Sequence, residues 1–293
     1  MNGLVEKLVL GTVQLGMQYG INNSTGQPSA EAASDILRAA HRAGITTLDT
    51  ADAYGTAMER IGRFHATSGN TFRIITKFHA DETTNVLEKI PQTLTNLGVS
   101  SLTCYQFHRF SDVSAFPHIH AQLRELKARR LIERVGVSVY SNAEFRAAAE
   151  STLIDVIQFP YNILDNMHQR GSTMRFAKER GKELHTRSVF LQGLLFKPFD
   201  EFPPQLMPLL PYLQRLHKLQ ESSNFAYNGI HALALNYVLH NPLIDAVLFG
   251  VETVSQLAEL LAAVHPNFNE DVMRVLDAIA VEETDLLNPV NWK

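Results

Sequence analysis

Short apolar runs and helix-spaced apolar positions alternate along the whole chain. Most of the runs are rich in β-branched residues and show no alternation with polar residues, which is typical of strands covered on both faces. Between the runs, apolar residues recur at helical spacing, for example across residues 86–97 and 254–264. The pattern predicts eight strands: Lys7–Thr12, Thr46–Asp49, Arg73–Lys77, Leu102–His108, Arg134–Val139, Val156–Pro160, Glu183–Arg187 and Ala246–Phe249.

Strands that alternate with helices, without a break in composition, favour a single (β/α)8 TIM barrel over residues 1–293. A doubly wound sheet is the alternative architecture. The sequence contains neither a G-x-G-x-x-G fingerprint nor a Walker A motif, and the glycines of Gly11-Thr12-Val13-Gln14-Leu15-Gly16 have the wrong spacing. If the protein binds a nucleotide, we therefore expect it to do so without a Rossmann turn.

The composition excludes several classes of protein. The chain is 45% hydrophobic and 19% charged, an ordinary globular composition. Its formal net charge of −4, without a basic run, argues against a nucleic-acid partner. The single cysteine, Cys104, excludes an internal disulfide and is typical of a reducing compartment. With no secretory signal and no apolar run of membrane-spanning length, we expect a soluble, cytoplasmic protein without a membrane partner.

Four polar residues stand at or just after the ends of three consecutive predicted strands. Asp49 ends the second strand, and Tyr54 comes five residues later. Lys77 ends the third strand and His108 the fourth. Each has an ordinary structural explanation when taken alone, such as a solvated strand end for Lys77. Because the chemistry of a barrel gathers where its strands end, we expect the four side chains to share one mouth.

The chemistry of these four residues suits the reduction of a carbonyl group. A tyrosine with a pKa of about 10 is a weak acid at neutral pH, so a nearby ammonium should lower that pKa and a carboxylate should hold the ammonium. A histidine across the pocket can donate a hydrogen bond to a substrate carbonyl. No side chain stands out as a nucleophile, and a hydride from a nicotinamide cofactor is the simplest attacking group.

With these four residues and the segments around them, the sequence resembles the aldo-keto reductases over nearly its whole length. The resemblance implies a (β/α)8 barrel that reduces aldehydes or ketones, small-molecule carbonyl substrates, with NADPH or NADH. It matches Asp49, Tyr54, Lys77 and His108 to the catalytic tetrad of the family, with Tyr54 as the general acid. The matching segments are Leu10-Gly11-Thr12, Leu48-Asp49-Thr50-Ala51, Tyr54-Gly55, Ile75-Thr76-Lys77, His108-Arg109, Gly136-Val137-Ser138, Gln158-Phe159-Pro160-Tyr161-Asn162 and Gly250 followed by Gln256-Leu257 and Glu259.

The same resemblance implies which residues bind the cofactor. Ser138 and Gln158 match the groups that hold the carboxamide, and Tyr161 matches an aromatic residue that stacks under the nicotinamide in many members. In other members strand seven supplies that platform. The loop after strand seven matches the segment over the pyrophosphate, and the segment from Gly250 matches the adenosine end. The full set is Gly11, Thr12, Asp49, Ser138, Gln158, Tyr161, Ser188, Phe190, Leu191, Gly193, Gly250, Glu252, Thr253, Gln256 and Glu259.

Three positions depart from the pattern of the family. Val139 and Leu260 each stand where many members have an Asn that contacts the cofactor. Glu252 stands where members that prefer NADPH often have a hydroxyl or a cation for the 2′-phosphate. Lys197, after strand seven, is an alternative source of positive charge. We therefore expect NADPH to be used, with NADH as a second co-substrate.

The ends of the chain also differ from many relatives. Six residues precede Lys7, too few for the N-terminal hairpin that plugs the barrel bottom in those proteins. Residues 270–283 are predicted to form an extra helix, followed by a tail over residues 284–293. Trp292, in this tail, could fold over the pocket, but we expect it to pack in a surface groove or to fray.

Two other functions compete with carbonyl reduction. A regulatory subunit could use the same scaffold to sense the redox state of the cofactor. A barrel metal hydrolase would need convergent ligands, yet His118 and His120 lie two apart at a predicted helix start and point in different directions, so no metal is expected. For the enzyme, polar residues near the mouth suit a sugar or a sugar derivative as substrate; they are Gln14, Tyr19, Asn22, Asn23 and Asn162.

Overall fold

Eight parallel strands close into a barrel in which each strand pairs with its neighbours in the sequence and the last strand pairs with the first. The computed structural model describes residues 2–21, 23, 26–221 and 229–292; Asn22, one of the predicted pocket residues, lies outside them. The strands are β1 Leu8–Gly11, β2 Thr47–Asp49, β3 Arg73–Phe78, β4 Leu102–Phe107, β5 Ile132–Ser138, β6 Val156–Pro160, β7 Glu183–Arg187 and β8 Ala246–Phe249.

Helices surround this barrel. Within the described residues they are α1 Asn2–Glu6, α2 Val13–Gly16, α3 Ala30–Arg42, α4 Ala57–Ser68, α5 Val86–Leu97, α6 Phe110–Ala115, α7 His118–Ala128, α8 Asn142–Glu150, α9 Met167–Glu179, α10 Leu210–Glu221, α11 Ile230–Leu239, α12 Val254–Ala262 and α13 Glu270–Asp277. Short 3-10 segments follow β7 and α13, at Leu191–Phe196, Phe199–Glu201, Pro204–Leu209, Thr284–Leu287 and Pro289–Asn291. No helix among these is long and apolar enough to span a lipid bilayer.

Local sequence signals start and stop these helices. In α5 the side chain of Asn85 accepts a hydrogen bond from the Leu87 amide, and Gly98 ends the helix with a φ of 65°. α8 begins with a reciprocal capping box between Ser141 and Glu144. The apolar stripe of each helix then faces the barrel, as the buried Ile90 of α5 illustrates.

The buried apolar residues form two separate clusters. The larger lies between the barrel and the helices. The smaller fills the barrel interior and consists of Val9, Ile75, Cys104, Val156, Ala246 and Leu248. Successive strand residues point to opposite faces, so counting forward by twos from this inner cluster leads to the inward positions at the carboxyl ends of the strands. Those positions include Gly11, Lys77, His108, Gln158 and Gly250.

The fold predicted from the sequence is confirmed. Three strands have the predicted bounds, and the others differ at their ends by one or two residues. Residues 2–6, before β1, form a short helix. The predicted final helix is too long, because α13 ends at Asp277 and not near residue 283. The Asn166 side chain donates to the carbonyls of Leu276, at 2.7 Å, and Ile279, at 2.9 Å, which satisfies the end of this helix and lets the chain turn.

Candidate active site

A buried ion pair joins the ends of β2 and β3. The Lys77 ammonium binds the Asp49 carboxylate, and both side chains are less than 5% exposed. Lys77 Nζ also lies 3.4 Å from the Thr50 carbonyl oxygen, and Gln158 Nε2 donates to the second Asp49 oxygen at 2.9 Å. Burial alone would lower the pKa of Lys77, but Asp49 and Tyr54 outweigh it and raise that pKa above its ordinary value. Lys77 therefore carries its charge at neutral pH.

Tyr54 is fixed beside this pair by a close approach of two loops. The amide of Thr56 donates to the Gly16 carbonyl at 3.2 Å. A Cβ atom on Gly16 would collide with the carbonyl oxygen of Tyr54, and one on Gly55, which has a φ of 52°, would collide with the Gly16 oxygen. Glycine at both positions lets the loop after β1 lie directly on the Tyr54 turn.

The Tyr54 ring lies between Lys77 and His108. Lys77 Nζ is 5.3 Å from the ring centre, and the His108 ring meets it edge-on with a centroid distance of 6.0 Å. Burial raises the pKa of Tyr54 above its ordinary value, and the charge of Lys77 is the largest effect that opposes this rise. The direction expected from the sequence, a net lowering, is therefore wrong for this structure, although the effect of Lys77 has the expected sign.

His108 is a neutral imidazole in this environment. Burial, followed by the positive charge of Lys77, lowers the pKa of His108 to about 3. Its ring stacks on His79 at 4.3 Å, and its Nδ1 atom is buried without a hydrogen-bond partner among the described residues. A neutral imidazole keeps one N–H group, which suits it to donate to a substrate oxygen.

Two connected cavities open at this end of the barrel. The smaller, of about 300 Å³, is lined by Tyr54, Lys77, His108, Ser138 and Tyr140, among others. The larger, of about 470 Å³, extends from β1 to α12. Both are lined by Tyr19, Tyr54, Gln158, Arg187, Ser188 and Gln192. A ligand in the larger cavity can therefore reach Tyr54, which borders both cavities, and the side chains beside it in the smaller one.

Most of the predicted cofactor residues come together in these cavities. Ser138 lines the smaller cavity. The larger cavity is lined by Gly11, Thr12, Asp49, Gln158, Ser188, Phe190, Gly193, Gly250, Glu252, Gln256 and Glu259. Gln158 Oε1 is buried without a hydrogen-bond partner among the described residues, so it can accept a bond from an amide N–H. An orphaned acceptor beside the tetrad and a cleft ending at a helix N-terminus fit a nicotinamide dinucleotide.

Three predicted cofactor residues lie elsewhere. Leu191 is fully buried in the larger apolar cluster, and Thr253 caps α12 by accepting a hydrogen bond from the Gln256 amide. Tyr161 does not face the pocket. Its ring is fully buried and stacks on Tyr237 of α11 with centroids 5.6 Å apart. It follows the inward-facing Gln158 by three residues, so it lies on the outer face of the barrel wall.

The loop after β7 reaches the pocket through an unusual backbone. Ser188, Leu191 and Gln192 all have positive φ values, between 49° and 63°, a conformation that costs free energy in residues other than glycine. The Gln192 side chain donates to the Tyr19 hydroxyl at 2.9 Å, and the Gln192 carbonyl accepts from the Ile21 amide at 3.3 Å. The loops after β1 and β7 therefore meet across the cleft.

Several pocket residues were missed by the sequence analysis. Arg187, the last residue of β7, lines both cavities. Its position at the end of a strand whose bounds were predicted correctly could have identified it from the sequence. The tail also contributes, because Pro289 and Val290 line the smaller cavity. Trp292 packs half-buried against the core as expected, with Nε1 donating to the Leu286 carbonyl at 2.7 Å. The residues just before it reach the catalytic pocket.

A metal site is poorly supported among the described residues. His118 and His120 bind different backbone carbonyls, those of Thr84 and Val113. Potential ligand atoms of Asp52, His79 and His108 lie within 4.8 Å of one another. The two imidazoles of that group are stacked with planes 15° apart, so their lone pairs lie in separate, nearly parallel planes and do not converge on one point.

Comparison with known proteins shows the family of the chain. The model of the aldo/keto reductase family matches residues 7–281. The protein belongs to this family. The aldo-keto reductase YhdN of Bacillus subtilis (strain 168) is 24% identical, with 97% of this chain and 92% of that protein covered. The NADH-specific methylglyoxal reductase of Escherichia coli (strain K12) is 23% identical, with coverage of 91% and 92%.

Solved structures show the same fold. The holo form of the aldo-keto reductase AKR11C1 from Bacillus halodurans is 21% identical and has a TM-score of 0.73, with 94% of each chain covered. The glycerol dehydrogenase AKR11B4 from Gluconobacter oxydans is 20% identical and has a TM-score of 0.72, with 93% of this chain and 90% of that one covered. These structures show the fold, whereas the family match makes the chain an aldo-keto reductase, an oxidoreductase that acts on small carbonyl compounds with a nicotinamide cofactor. None of these relatives supports the regulatory alternative.

Replacing Tyr161 tests its structural position. Tyr161→Leu removes the ring that stacks on Tyr237, together with the hydrogen bonds that the Tyr161 hydroxyl makes to the Tyr237 hydroxyl and accepts from the Asn241 amide. We expect the free energy of unfolding to fall by about 2–4 kcal/mol, measured by urea denaturation, while the Kd values of NADPH and NADH stay within about twofold. The milder Tyr161→Phe keeps the ring and should lose about 1–3 kcal/mol. A folded Leu variant that bound cofactor more than tenfold more weakly would place Tyr161 under the nicotinamide.

Proposed function

We propose that the protein reduces the carbonyl group of a small molecule, with Tyr54 as the proton donor. The observation that carries this proposal is the position of Tyr54 between a charged Lys77 and a neutral His108, at the junction of the two cavities. A nicotinamide cofactor bound in the larger cavity would supply the hydride for the carbonyl carbon. The side chains of the smaller cavity then have to orient the substrate and deliver one proton to its oxygen.

Each member of the tetrad has a distinct task in this proposal. Tyr54 is protonated at neutral pH, as an ordinary tyrosine is, and burial raises its pKa further. As the proton leaves, the adjacent Lys77 charge stabilises the phenolate that forms, and Asp49 holds Lys77 in place. His108 donates its N–H to the carbonyl oxygen and orients it. Proton transfer and positioning are therefore supplied by four side chains from three neighbouring strands.

A hydroxylated substrate, such as a sugar or a sugar derivative, suits the polar lining of the smaller cavity. Tyr19, Ser138, Tyr140 and Gln192 all border it. Gln14 and Asn23 border only the larger cavity, and Asn162 is fully buried with its amide donating to the Ser188 carbonyl. The preference for hydroxyl groups therefore rests mainly on side chains other than those chosen from the sequence.

The compartment and the domain organisation are part of the same proposal. Cys104 is buried inside the barrel, where burial raises the pKa of its thiol; a single inert thiol suits the reducing cytoplasm. One apolar cluster runs from Leu8 to Leu287, as expected for a single domain.

Removing the Tyr54 hydroxyl tests the proton donor. Tyr54→Phe should lower kcat for aldehyde reduction by about 10²–10⁴-fold, since general acid catalysis contributes about that much, while the Kd of NADPH changes little. The matched control is Tyr140→Phe, which removes a hydroxyl from the same cavity and should cost far less. If the Tyr54 variant kept more than a tenth of the wild-type rate on a substrate limited by chemistry, Tyr54 would not be the acid.

The dependence of reduction on pH tests Lys77 and His108. Because the pKa of His108 is about 3 and that of Tyr54 is raised, kcat/KM should stay level from about pH 5 to pH 9 and fall as Tyr54 ionises above that range. Lys77→Met removes the charge that opposes the rise in the pKa of Tyr54, so the rate should fall at least about 10²-fold at every pH. Exposed Lys89→Met is the control.

Loss of Lys77 also leaves Asp49 buried and unpaired, which can unfold the protein. The double variant Asp49→Asn/Lys77→Met removes that charge and should fold, as circular dichroism would show, yet remain as slow as the single variant. An unchanged pH profile with only weaker substrate binding would make Lys77 a structural residue.

The charge of the larger cavity supports use of NADH as a second co-substrate beside NADPH. Glu252 and Glu259 line it, and Arg187 is the one Lys or Arg among its described lining residues. Lys197 is paired with Glu201 at 3.0 Å and does not border this cavity. A carboxylate beside the adenosine end would repel a 2′-phosphate and could accept bonds from free ribose hydroxyls. The Escherichia coli relative described as NADH-specific is consistent with this choice.

Reversing the charge at Glu252 tests the cofactor preference. Glu252→Lys should shift the ratio of kcat/KM values towards NADPH by roughly 1–2 kcal/mol, the size of one charge-assisted contact. Glu150→Lys makes the same charge change on the last turn of α8, outside the cavity, and should leave the ratio unaltered. A wild type more than a thousandfold selective for NADPH, or no shift in the variant, would show that Glu252 does not face the cofactor.

A further inference from the structure

Arg187 is a cation at the mouth of the barrel, where no carboxylate of the described residues forms an ion pair with it. It is half-buried at the end of β7 and lines both cavities. Among the described residues it forms no ion pair, whereas Lys77, the other permanent cation of the smaller cavity, is paired with Asp49. The smaller cavity therefore carries about one unbalanced positive charge, since His108 is neutral at ordinary pH.

The contacts that hold Arg187 leave most of its donors free. One Nη atom donates to the Val139 carbonyl at 3.3 Å, and the guanidinium lies 4.2 Å over the centre of the Tyr140 ring. Its Nε–H is buried without a hydrogen-bond partner among the described residues. A guanidinium presents five N–H donors in a planar fork, and a buried donor without an acceptor costs free energy. The guanidinium of Arg187 therefore has N–H donors left for an acceptor on a ligand.

The direction of the side chain favours the smaller cavity. Its two partners, Val139 and Tyr140, follow β5, and Tyr140 borders only the smaller cavity. The adenosine end of the larger cavity is lined by Gly250 and Gln256, which do not border the smaller cavity. The fork is therefore placed beside Tyr54 and His108, where the carbonyl of a substrate would lie.

We propose that Arg187 binds a carboxylate group of the substrate, so that the preferred substrates are carbonyl compounds that also carry an anionic oxygen group. Arginine suits this task because its planar fork matches a carboxylate in a two-bond arrangement. This inference rests on the proposed carbonyl reduction, and it adds a specificity-determining residue to that reaction. With a cavity of about 300 Å³, the substrate is a small molecule.

The test compares an anionic aldehyde with a neutral analogue, 4-formylbenzoate and its methyl ester, with cofactor saturating. In the wild type we expect kcat/KM to favour the acid by roughly 10–100-fold, the size of a charge-assisted contact. Arg187→Met should abolish this preference, mainly through KM for the acid. Arg187→Lys should restore it in part, since it keeps the charge without the fork.

Arg109→Met is the matched control. Arg109 is exposed, follows His108 and does not border either cavity, so its loss removes the same charge near the mouth and should leave the preference intact. A phosphate-bearing aldehyde, glyceraldehyde 3-phosphate against glyceraldehyde, distinguishes a carboxylate site from a phosphate site. A phosphate preference without a carboxylate preference would overturn the choice of carboxylate.

Other outcomes overturn the inference while leaving the proposed function standing. A wild type that reduces both aldehydes equally well, or an Arg187→Met variant that retains the preference for the acid, would show that Arg187 does not bind the carboxylate of the substrate. A variant that mainly raised the Kd of NADPH or NADH, measured without substrate, would make Arg187 a cofactor anchor. Failure of the wild type to reduce either aldehyde or any neutral carbonyl compound would instead count against the proposed function.

Discussion

The active site depends on one buried ion pair, Asp49 with Lys77. Moving two charges out of water costs roughly several kcal/mol for each ion, which their attraction offsets only when further hydrogen bonds are made. Gln158 and the Thr50 carbonyl supply those bonds. The pair then places a permanent positive charge beside the Tyr54 ring, and that same charge helps to keep His108 neutral. The Lys77 charge thereby affects the pKa of both Tyr54 and His108, although burial is the largest cause of each shift.

The period of two along the strands explains which site residues could be predicted. Asp49, Lys77, His108 and Gln158 each end a strand or lie near its end, so their burial and convergence follow from the barrel alone. The same counting separates Tyr161 from Arg187. Tyr161 falls on the outward parity of β6, whereas Arg187 lies two residues beyond the inward-facing His185 of β7. The resemblance to the family suggested Tyr161 as the residue under the nicotinamide, but the alternation of side chains along β6 places it on the outer face of the barrel.

What could not be predicted lies in the loops, where no period applies. The turn that carries Tyr54 is set by the contact between Gly16 and Gly55, two glycines that are far apart in the sequence and that look like ordinary turn residues. The left-handed backbone at Ser188, Leu191 and Gln192 is equally invisible in the sequence, because these residue types seldom adopt it. Surrounding contacts, such as the Gln192–Tyr19 bond, hold it in place. The shape of the pocket mouth is therefore determined by tertiary contacts between loops, whereas the residues at its floor are determined by the strands.

The two ends of the connected cavities differ in charge, and this difference favours a different ligand, cofactor or substrate, at each end. At the α12 end, Glu252 and Glu259 border a region in which the described residues supply no Lys or Arg, only backbone N–H donors at the helix N-terminus. At the catalytic end, the ion pair cancels the charge of Lys77, and Arg187 remains. Charges in a cleft with low-dielectric walls act over longer distances than in water. If the substrate is anionic, as proposed, it is therefore drawn to the end where Tyr54 and His108 stand, and the acidic end would disfavour an additional phosphate. The charge asymmetry favours a productive orientation of both ligands before any atom reacts.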